Sequence, residues 1–81
     1  MKDRLNLVRS FPAEEIQSFL ATRVSVTIPE DIQQYILYLN SASSIIHHVG
    51  TNLKEASDAL MTEYPALTRA QARGIYYDAL E

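Results

Sequence analysis

The chain has 81 residues and a mass of 9.2 kDa, enough for one small domain whose core is marginal without a partner. Apolar residues make up 47% and charged residues 21%, the balance of a globular chain rather than a disordered one. Seven Lys and Arg against ten Asp and Glu leave a net charge of -3, which excludes a protein that coats nucleic acid by bulk phosphate neutralisation.

The absence of cysteine excludes disulfides, thiolate catalysis and Cys-based zinc sites. With only Gly50 and Gly74, no glycine-rich phosphate loop can be built. No apolar run reaches transmembrane length, and MKDRLNLVRS has no signal-peptide core, so no membrane association and a cytoplasmic location are expected. A small helical binding module is what these exclusions leave.

Residues 1–10 mix charges with Leu5, Leu7 and Val8 without a clean period, as either an extended arm or a short helix. Ser10-Phe11-Pro12 reads as a helix start, with Glu14 and Glu15 suited to the positive end of the helix dipole. Ile16, Phe19 and Leu20 then mark one apolar stripe on a short helix ending near Thr22. The alternation in Arg23–Ile28 is strand-like, but a lone strand has nothing to pair with, so an extended connector is expected.

Thr27-Ile28-Pro29-Glu30 has the spacing of a capping box, with proline in the first turn. Ile32, Tyr35, Ile36, Leu39, Ala42, Ile46 and Val49 follow at steps of three and four, which predicts a long amphipathic helix to about Val49. Leu37, Tyr38 and Ile45 lie off that stripe. A second apolar face of this kind assigns them to an oligomer interface, unless they pack against the Phe11–Leu20 helix. The weak helix formers at 41–44 are placed to bend the helix, and Gly50 to end it in a left-handed cap.

Asn52 caps the next helix, which presents Leu53, Ala56, Leu60 and Tyr64 on one side and stops before Pro65. Thr68-Arg69-Ala70-Gln71 is a second box, opening a last helix from Arg69 toward Glu81. That helical pattern is still running at Leu80, as in a chain that continues further. The expected fold is all-α: a small bundle of three to four helices ending in a helix-turn-helix. It is read as a single helical domain, with residues 1–50 for packing and oligomerisation and residues 51–81 as the helix-turn-helix.

The two C-terminal helices carry the informative constellation. Their four-residue link, Pro65-Ala66-Leu67-Thr68, suits a helix-turn-helix. Ala72, Ile75, Tyr76 and Ala79 are predicted to face inward, which leaves Arg69, Ala70, Arg73 and Tyr77 on the opposite side. Arginine makes bidentate contacts to guanine or phosphate, Tyr77 and Thr68 can hydrogen-bond phosphate, and Lys54 extends the positive surface. Against this, residues 52–81 hold three bases and five acids, a net of -2 that equally fits a protein-interaction hairpin.

The segment KEASDALMTEYPALTRAQARGIYYDAL resembles the helix-turn-helix of phage terminase small subunits and related homeodomain-like modules. The matching positions are Ala56, Leu60, Tyr64, Thr68, Gln71, Ala72, Ile75, Tyr76, Asp78 and Ala79. The resemblance implies a viral DNA-packaging protein that recognises double-stranded DNA, acts as an oligomer and recruits a motor ATPase. By position, Arg69, Ala70, Arg73 and Tyr77 would be its base- or phosphate-facing residues, and Lys54 and Thr68 complete the expected DNA-binding set on the chemistry given above. The sequence departs from that family's pattern in having some fifty residues before the motif, and in its acidic balance. The alternative function is a helical assembly module, such as a viral structural or accessory protein, with no nucleic-acid contact.

Other residues carry less. His47 and His48 are adjacent, so on a helix they diverge by about 100° and cannot share a metal. The carboxylate pairs Glu14-Glu15 and Glu30-Asp31 each fall in a helix first turn, where acids are expected. Most of the five tyrosines fit core or interface positions, with Tyr77 exposed. No nucleophile has a base at a usable spacing, so neither enzymatic activity nor a cofactor is expected.

Overall fold

The computed structural model describes residues 2–49 and 52–80. They form five helices and, among the described residues, no strand: α1 (Lys2–Ser10), α2 (Ala13–Thr22), α3 (Glu30–Val49), α4 (Leu53–Glu63) and α5 (Arg69–Leu80). The all-α expectation holds. The count exceeds the three to four expected because residues 2–10 form a helix of their own. Leu5 is buried and Val8 packs on the nearby core, an i, i+3 pair that Leu7 between them disguises in the sequence.

The chain divides into two compact units, residues 1–37 and 38–81, so the division falls inside α3. In the first unit Phe19, Ile28, Ile32 and Ile36 form the core, with Phe11, Ile16 and Leu20 partly buried against it. α2 starts where its sequence indicates, the Pro12 carbonyl accepting from the Glu15 and Ile16 amides at 3.0 and 3.3 Å. It ends on Arg23 in the left-handed region (φ 61), whose amide donates to the Phe19 carbonyl at 2.6 Å. This single 5→1 bond is a helix-ending motif usually made by glycine.

The connector 23–28 forms no strand but is bent at 23 and 26–28 rather than extended, and Thr27 does not cap α3. The helix begins at Glu30, and its first bond runs from the Gln33 amide to the Pro29 carbonyl at 2.9 Å. Ile28 is buried at 3% exposure and directly precedes Pro29, a position where helical backbone is disfavoured. The Ser25 hydroxyl accepts from the Thr27 and Ile28 amides (3.3 and 3.1 Å), and Gln33 Nε2 donates to the Ile28 carbonyl at 2.8 Å. A serine turn thus takes the Thr27 amide, which the capping box would have paired with the Glu30 side chain, together with the Ile28 amide.

The second unit is built on Ala42, Leu60, Leu67, Ala72 and Ile75, with Leu39, Met61 and Ala79 partly buried against them. α3 is helical without a break through 41–44. Tyr64 ties the end of α4 to α3: its ring stands edge-on to Tyr38 with centroids 4.8 Å apart, and its hydroxyl shares a 2.8 Å hydrogen bond with Ser41. Leu37 packs on the first core, and Tyr38 and Ile45 on the second, so each proposed interface residue is half-buried within its own chain. The Val49 side chain and the Gly50–Thr51 stop lie outside the described residues.

Candidate nucleic-acid interface

α4 and α5 are each started by a side-chain cap. Asn52 Oδ1 accepts from the Glu55 amide at 3.1 Å. At α5 the box is reciprocal: Thr68 Oγ1 accepts from the Gln71 amide (3.2 Å) and Gln71 Oε1 from the Thr68 amide (2.9 Å). With these two amides engaged, the N–H groups of Arg69 and Ala70 are the first-turn donors left for an anion. The Thr68 hydroxyl proton is not used by its cap bond and remains available as a donor.

Between the helices, the Leu67 amide donates to the Tyr64 carbonyl at 3.0 Å and the Leu67 side chain enters the core, closing the turn. Ala56, Ser57 and Leu60 of α4 and Ala72, Ile75 and Tyr76 of α5 are buried. Three of the four residues predicted to face inward on α5 are thus buried, Ala79 is half-buried, and Asp78, not expected there, is buried as well. Arg69, Ala70 and Arg73 are exposed, as is Lys54 on α4. Tyr77 is 52% exposed, its ring braced edge-on against buried Tyr76 with centroids 5.4 Å apart. Arg69, Arg73 and Tyr77 thus form one exposed stripe at i, i+4, i+8.

One neighbour of that stripe was not legible in the sequence. Arg69 Nη2 donates to Asp58 Oδ1 at 2.7 Å, an ion pair whose side chains are 53% and 47% exposed. The two lie eleven residues apart on different helices, so no intrahelical spacing signals their meeting. An ion pair this exposed contributes under about 1 kcal/mol, so Arg69 can exchange Asp58 for another anion at little cost. Asp58 nevertheless places a carboxylate beside Arg69.

His47 and His48 are exposed near the end of α3 with their rings edge-on, and no metal-holding group of three or more His, Cys, Asp or Glu occurs among the described residues. None of the described helices is long and apolar enough to cross a membrane. No family model, curated protein or solved structure matches this chain.

Proposed function

We propose that α4, the 64–68 turn and α5 act as a DNA-binding helix-turn-helix, with α5 entering the major groove. The observation that carries this reading is the exposed Arg69–Arg73–Tyr77 stripe behind a capped helix start with unused first-turn amides. In this reading Arg73 and Tyr77 face the groove, Arg69 leaves Asp58 for a phosphate, and Lys54 meets the flanking backbone. The likeness to phage terminase small subunits supports a role in viral DNA packaging, in the host cytoplasm, with self-assembly multiplying a weak contact and a motor ATPase as a further partner.

An electrophoretic shift assay with duplex DNA at low salt tests the reading. Wild type is expected to bind, and the double variant Arg69→Ala/Arg73→Ala to lose roughly tenfold or more, since each arginine contact is worth about 1–3 kcal/mol. Asp58→Asn, which frees Arg69 and removes a charge facing phosphate, is expected to tighten binding about threefold. No binding by wild type, or equal binding by the double variant, sinks the idea.

The Asp58 carboxylate also favours a second reading, a helical assembly module that contacts protein alone. Under it, light scattering shows a mass that grows with concentration while DNA is ignored. A strict monomer that binds no DNA is incompatible with both readings.

A further inference from the structure

A groove of 580 Å³ lies wholly within the first unit, between α2 and the connector that follows it. Pro12, Glu14, Glu15 and Ser18 line one side, Val24 and Val26 the other. The two glutamates have an ordinary reason to be there, since acids favour the first turn of a helix. The valines do not: Val26 is 98% exposed and Val24 69%, while Ile28 of the same connector is buried.

Hydrogen bonds on either side of Val26 shape the connector that carries both valines. Arg23 turns the chain out of α2, the Val24 amide donates to Thr22 Oγ1 at 3.3 Å, and the Ser25 hydroxyl holds the amides of Thr27 and Ile28. The Ser25 carbonyl accepts from Gln33 Nε2 at 3.3 Å. The connector therefore engages several of its polar groups locally and through Gln33 and turns two aliphatic side chains outward, which lowers the ordering cost of a contact there.

Two carboxylates and two valines, with no base among the lining residues, ask for an occupant that brings a cation beside an aliphatic group. We propose that this groove docks a polypeptide segment of another protein carrying lysine or arginine next to an aliphatic residue. The glutamates repel phosphate, so neither nucleic acid nor an anionic membrane satisfies the site. The proposal rests on residues 12–27 and is independent of the DNA reading of α5.

Amide shifts of the isotope-labelled full chain, titrated with short synthetic peptides, test it. One peptide alternates Leu and Lys, a second Leu and Glu, a third Ser and Lys. The Leu/Lys peptide is expected to move the amides of 13–18 and 24–27, with the other two at least about tenfold weaker. Val26→Ser and the pair Glu14→Gln/Glu15→Gln, of which only Glu15 is half-buried, should each weaken it about fivefold, a loss near 1 kcal/mol. The proposal fails if the Leu/Lys peptide leaves these amides unmoved at millimolar concentration, or if the Leu/Glu peptide binds equally well. It also fails if the same amides shift on raising the protein concentration alone, which would assign the groove to a second copy.

Discussion

Ser57 lies fully buried on α4, and its hydroxyl has no hydrogen-bond partner. Burying an unsatisfied hydroxyl costs about 1–3 kcal/mol, and alanine fills the same space apart from one oxygen. Ser57→Ala is therefore expected to stabilise the protein by about 1 kcal/mol, read as a higher urea midpoint at unchanged slope. A lower midpoint would show that the hydroxyl is satisfied in solution. Ser57 is absent from the apolar stripe Leu53, Ala56, Leu60 and Tyr64, because a polar side chain gives no hydrophobic signal even at a buried helical position. Arg69 illustrates the same limit from the other side. Its exposure follows from helical phase, while its pairing with Asp58 depends on how two helices are brought together.

Among the elements, α4 and α5 were the most legible, because their boundaries are written in local chemistry. Asn52 and the Thr68/Gln71 pair act within four residues of themselves, and each makes the bond its spacing implies. Thr68→Ala removes the acceptor for the Gln71 amide and should cost about 1 kcal/mol, measurable by thermal melting. An unchanged melting temperature would mean that α5 is started by packing rather than by its cap. The start of α3 shows what defeats such reading. The Thr27 box has correct spacing, but Pro29 disfavours helical backbone at Ile28, so the helix starts at Glu30, too late for Thr27 to cap it. α1 is hard to read for a different reason: its apolar stripe is only Leu5 and Val8, too short to declare a period.

At the scale of the molecule, α3 serves two cores. Its first turns bring Ile32 and Ile36 to Phe19 and Ile28, and its later turns bring Ala42 to Leu60 and Ile75. Each core should therefore respond to its own lesions. Ile36→Ala, at about 2–5 kcal/mol, is expected to speed hydrogen exchange in α2 more than in α5, and Leu60→Ala to do the reverse. Uniform acceleration in both variants would show that the chain opens as one cooperative unit.

The sequence by itself determined the helices from α2 onward to within a few residues, the inward face of α5 and the exposed Arg69–Arg73–Tyr77 stripe. Each of these follows from periodicity or a cap, and both act over one or two turns. Only the tertiary structure decided the division inside α3, the Asp58 carboxylate beside Arg69, and the intrachain packing of Leu37, Tyr38 and Ile45. It also decided the outward turn of Val24 and Val26. These depend on which faces meet across long stretches of chain, and helical spacing carries no record of the partner a face will find.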